Sequence, residues 1–140
     1  MKAKTRRAAE TRWLYRIESE ALSANEYANA ARDMRHLNRL AKRVWESEAP
    51  PGRKFPTIEA GKGVSYNGQW FSYCEGYTKI VLTKAGRNVL VLLHELTHAL
   101  GPCVHGPKFV RLYFYLLRKY ARFSEDLLQG VAAGRGIVLN

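Results

Sequence analysis

Between residues 87 and 100 the sequence is apolar at Val89, Leu90, Val91, Leu92, Leu93, Leu96, Ala99 and Leu100, on almost every side of the helix this spacing implies. Such a helix has no face to offer water, so it is buried, and the rest of the chain must fold around it. Gly101-Pro102 stops it. Into this apolar helix are set His94, Glu95 and His98. Each buried polar group costs roughly 2–7 kcal/mol unless something compensates. Hydrogen-bonded core histidines are one form of compensation. A bound metal is another, and clustering favours it: three of the four histidines, His94, His98 and His105, fall within twelve residues.

The spacing carries chemistry. Residues four apart project from one face of a helix, so His94 and His98 are placed to bind one metal ion. Glu95 sits about 100° further round, near enough to act on a metal-bound water without filling a coordination position. A catalytic zinc takes three protein ligands and keeps one position open for that water. His105 is the candidate third ligand, because the chain can reverse at Gly101-Pro102 and return a side chain to the helix. The expectation is one Zn2+ per chain on His94, His98 and His105, with Glu95 as catalytic base. Cys103, two residues before His105, is either a further ligand, since thiolates bind zinc, or a small buried residue. His36 has charged neighbours and reads as a surface residue.

Around that helix the pattern changes period. Residues 1–22 read as a basic, partly helical arm with a narrow apolar stripe at Trp13, Leu14, Ile17 and Ala21. Ser23 with Glu26 looks like a capping box opening a helix over 23–47, with Tyr27, Ala31, Met34, Leu37, Ala41 and Val44 inward. Segments 55–60, 63–66, 70–74 and 77–83 are short and rich in aromatic or β-branched residues. Asn67-Gly68 marks a tight hairpin between two of them. A small, mostly antiparallel sheet follows. Further helices are expected over 107–120 and 124–132.

His105 continues as Gly106-Pro107-Lys108-Phe109-Val110. HELTH followed by HGPKF resembles the SprT-like family of zincin metalloproteases and the small single-domain minigluzincins. The match is specific over residues 92–110. The resemblance implies an α+β, zincin-like fold whose order of elements matches from about residue 23 to 120: N-terminal helices, a small mostly antiparallel sheet, a buried HExxH helix and a ligand-bearing helix after it; a single domain over 23–140 is expected. It also implies the same roles by position, with His94, His98 and His105 on zinc and Glu95 as general base. The metzincin pattern HExxHxxGxxH does not fit, because its last position falls on Val104, and no Met follows to form a Met-turn.

The function implied is hydrolysis of peptide bonds by a zinc-bound water that Glu95 activates, with a protein or peptide as substrate. Tyr113 and Arg111 are candidate oxyanion donors or ordinary packing and surface residues. The 77–83 strand either offers a free edge where an extended substrate could dock or is an ordinary internal strand. Lys and Arg outnumber Asp and Glu by 23 to 12, a net charge of +11 that favours a nucleic-acid partner. Lys108, Arg111, Arg118, Lys119 and Arg122, interleaved with aromatic rings, would carry that contact or simply form a solvated helix face. The competing function is a non-enzymatic, basic, DNA-associated module with a structural metal site, which would have no use for Glu95. No apolar run reaches the roughly 18 residues that cross a bilayer. No apolar segment follows the basic N-terminus, and two cysteines make no disulfide framework, so a cytoplasmic protein without a membrane partner is expected.

Overall fold

The computed structural model describes residues 3–139 and is α+β. In chain order its elements are α1 (Ala3–Ser19), a 3-10 turn (Leu22–Ala24), α2 (Glu26–Asn29), α3 (Met34–Glu48), β1 (Thr57–Ala60), β2 (Val64–Tyr66), β3 (Gln69–Phe71), β4 (Tyr73–Glu75), β5 (Lys79–Leu82), α4 (Val89–Leu100), α5 (Pro107–Tyr120) and α6 (Glu125–Ala133). No described helix is long and apolar enough to cross a membrane. The chain divides into two compact units, one spanning Ala30–Gly101 and the other combining residues 3–29 with 102–139.

In the Ala30–Gly101 unit, α4 is the buried helix anticipated from its composition. Asn88 caps it by accepting from Val91 N, and only Val91 and His98 of its residues are not buried. It packs on β4, β5 and α3. Each fully buried leucine there contributes roughly 1.5–3 kcal/mol of burial free energy. At its far end the Arg53 guanidinium donates to Ala99 O at 2.9 Å and lies 4.4 Å from the Tyr77 ring. A cation in that place complements the negative end of the helix dipole.

Two of the strand pairings are antiparallel, β2–β3 and β4–β5, and the third, β1–β5, is parallel. Ile80 of β5 stands between Ile58 and Cys74 in the three-stranded order β1-β5-β4. Of the two readings of the 77–83 strand, the internal one holds: β5 is the central strand and has a neighbour on each side, so it offers no free edge. The Asn67-Gly68 hairpin forms as expected, with both residues at positive φ (50° and 78°). The segment 70–74, expected as one strand, is split between β3 and β4 at Ser72. The Ser72 hydroxyl accepts Thr83 N at 2.9 Å, so a side chain takes the place of a ladder bond.

The helix expected over 23–47 is broken, and the cause is side-chain capping. Ser23 does not open a helix; its hydroxyl donates back to Glu20 O. Asn25 Oδ1 instead accepts Ala28 N, starting the single turn of α2, and Asn29 Nδ2 donates to Leu22 O and Asn25 O. A second start follows at Asp33, whose carboxylate accepts His36 N. Polar side chains that bond nearby backbone compete with helix continuation in this way. Leu37, Ala41 and Val44 are buried as expected, Tyr27, Met34 and His36 are partly buried, and Ala31 is exposed.

In the other unit, α1 is continuous; it buries Trp13, Leu14 and Ile17, while residues 4–8 are exposed. Helix α5 buries Phe109, Val110, Tyr113, Phe114, Leu116, Leu117 and Tyr120. Pro107 sits at its first turn, where a missing N–H costs nothing. Ser124 caps α6 by accepting Leu127 N.

Candidate metal centre

Helix α4 holds His94 and His98 one turn apart, their ring centroids 5.2 Å from each other. His94 is buried and His98 partly so. Glu95, the next residue after His94, is only 6% exposed. Its charge is felt on β4. Burial first, and then the Glu95 carboxylate, push the Cys74 thiol from its ordinary 9.0 up to about 12. Within the helix the buried Thr97 hydroxyl donates back to Leu93 O at 2.7 Å.

His105 lies just before the Gly106 N-cap of α5. Its Nδ1 is 3.0 Å from Thr11 Oγ1, and its ring stands edge-on to Phe109 at 4.9 Å and 5.8 Å from Tyr15. His94, His98 and His105 form a group that could hold a metal ion, their ligand atoms all lying within 4.8 Å of one another. The donor set fits: three imidazole nitrogens suit zinc and its neighbours in the first transition row.

Other residues singled out from the sequence do not join this group. Cys103 is exposed and is not among the grouped ligands. The Tyr113 hydroxyl, fully buried, donates to Glu18 Oε2 at 2.6 Å, which commits it to packing rather than to a reacting oxygen. Arg111 is exposed and donates from Nε to Val138 O. Conversely, reading the sequence by hydrophobic period passes over Thr11 and Tyr15. Their signal was a second spacing on α1, four residues apart beside the apolar stripe, and nothing in sequence pairs that face with His105. Comparison with protein families, with curated proteins and with solved structures finds no match to this chain.

Proposed function

We propose that this protein is a zinc-dependent metallopeptidase with a zincin-like, SprT-like active site. The observation that carries the reading is the three-imidazole group with a buried carboxylate directly adjoining it in α4. A purely structural site needs no such carboxylate, whereas a hydrolase does. His94, His98 and His105 would hold the ion. Zinc bound by three histidines acts as a Lewis acid and lowers the pKa of a coordinated water to about 7.

The chain's own residues supply the rest. Glu95, on the helix that carries two of the ligands, accepts the proton of the attacking water on a carboxylate oxygen. It then delivers that proton to the nitrogen of the departing amine, so the peptide C–N bond breaks as the new C–O bond is completed. Its burial keeps bulk water from competing for the proton. Among the described residues β4 is paired on one side only, and α4 packs against it, so an extended peptide substrate would add to its outer edge.

The test is cleavage of an unfolded protein substrate by the zinc-loaded chain. Glu95→Gln should lower kcat by about 10²–10⁴-fold while retaining zinc, the range typical for loss of a general base. Equal cleavage by wild type and Glu95→Gln, or no cleavage by the zinc-loaded wild type, contradicts the reading.

A nucleic-acid partner is favoured by one feature of α5. Lys108, Arg111, Tyr115, Arg118 and Lys119 are all exposed, with Arg122 just beyond the helix, and α5 contains no Asp or Glu. Lys108, Arg111, Tyr115 and Arg118, spaced by three and four residues, form a cationic row about 15 Å long with one aromatic ring in it. Binding to single-stranded nucleic acid should weaken linearly with log salt. Reversing Arg111, Arg118 and Lys119 to Glu should cut the slope by roughly 0.7 per lost phosphate contact. An unchanged slope excludes this face.

A further inference from the structure

Helix α1 carries a second face beside its apolar stripe. Thr11, Tyr15 and Glu18 follow one another at helical spacing of four and three residues, and the chain from His105 into α5 offers His105, Phe109 and Tyr113 at spacings of four. The two columns meet at both ends. Thr11 Oγ1 lies 3.0 Å from His105 Nδ1, and the Tyr113 hydroxyl donates to Glu18 Oε2 at 2.6 Å. Between these bonds Tyr15 flanks the His105 ring, while Phe109 stands against both His105 and Tyr113, 4.9 and 5.4 Å between centroids. The approach of α1 is close: a Cβ at Gly106 would come within 3.2 Å of Glu10 Oε2.

A neutral imidazole can give only one nitrogen to a metal, and its other nitrogen carries a proton that needs an acceptor. Which nitrogen is which depends on that outer acceptor. From this geometry we infer that α1 supplies the outer shell of the metal centre, with Thr11 as the positioning residue for His105. The Thr11 hydroxyl oxygen accepts the Nδ1–H of His105, which holds the ring in its Nδ1-protonated form and leaves Nε2 for the ion. Tyr15 and Phe109 fix the plane of the ring. This role rests on the metal-site reading above. It also gives the basic N-terminal helix a purpose that its charge does not: metal affinity depends on α1 being docked.

The experiment is zinc titration against a competing chelator on the full chain, for wild type, Thr11→Ser, Thr11→Val and His105→Ala, together with ¹⁵N NMR of the histidine rings in the metal-free wild type. Thr11→Val should lose about 10–100-fold in zinc affinity, the range for an outer-shell partner, and Thr11→Ser should stay near wild type. His105 in the metal-free wild type should be protonated at Nδ1, a readout that needs no variant to fold. Zinc binding by Thr11→Val equal to wild type, with His105→Ala impaired, would overturn the role of Thr11 and leave the metal site standing. So would a His105 ring protonated at Nε2. A folded wild type that binds no zinc would overturn both.

Discussion

Glu95 and Cys74 report on each other at the scale of single residues. The Cys74 thiol, held up to about 12 mainly by burial and secondarily by the Glu95 charge, stays protonated through the neutral range. Its folded value lies above its unfolded one, so the contribution to stability is complete below about pH 9 and is lost as pH climbs towards 12. Cys74 is almost wholly thiol at pH 8, and thiolate is the species that reacts. Iodoacetamide should therefore label exposed Cys103 and leave Cys74 intact, as read by mass spectrometry of the peptides. Glu95→Gln removes the smaller of the two causes, so Cys74 labelling at pH 9 should accelerate yet stay slower than that of Cys103. No change would mean that the Glu95 charge does not face β4. Gly63 gives a test of a different kind. It has φ +84°, and a Cβ there would collide with the Phe71 carbonyl, so Gly63→Ala should cost about 1–3 kcal/mol in urea unfolding.

Elements differ in how openly the sequence declares them, and the difference is physical. Helices α4, α5 and α6 could be read from their apolar spacing and, for α4, from the break at Gly101-Pro102; in the structure Asn88 and Ser124 cap α4 and α6. The break between α2 and α3 could not be read by period, since apolar positions continue in register through it. What stops the helix there is hydrogen bonding by Asn25, Asn29 and Asp33, and a capping box at Ser23 with Glu26 masks it. Strand order was hidden for another reason. The β1–β5 pairing joins residues about twenty apart in sequence, and local alternation says nothing about who lies beside whom. The candidate site was legible to the same limit. HELTH and HGPKF name His94, Glu95, His98 and His105, while the approach of Thr11 to His105 across 94 positions leaves no local trace. Two substitutions test the elements. Leu93→Ala in α4 should cost about 2–5 kcal/mol, because the leucine is fully buried. Asn25→Ala should cost about 1–2 kcal/mol, because it removes the α2 cap and the donations to Ala121 O and Arg122 O. Thermal and chemical unfolding measure both, and a neutral Asn25→Ala would mean that the break is set by something other than its cap.

For the whole molecule, the buried helix that constrains the fold also holds two of the three candidate metal ligands and the proposed base. Ten of its residues are buried, among them His94 and Glu95, so polar groups are kept in an apolar core and a bound ion would offset part of that cost. Removing such an ion should lower stability as well as activity, because anything bound only by the folded chain stabilises it. A chelator should therefore depress the Tm of the zinc-loaded protein, and added zinc should restore it. The most direct measurement is the zinc content of the purified, reconstituted wild type beside His105→Ala, by elemental analysis. About one zinc per chain in the wild type, weakened or absent in His105→Ala, is the result predicted. A folded wild type that takes up no zinc, or a His105→Ala that holds it as tightly, would contradict the three-histidine centre and the hydrolytic function built on it.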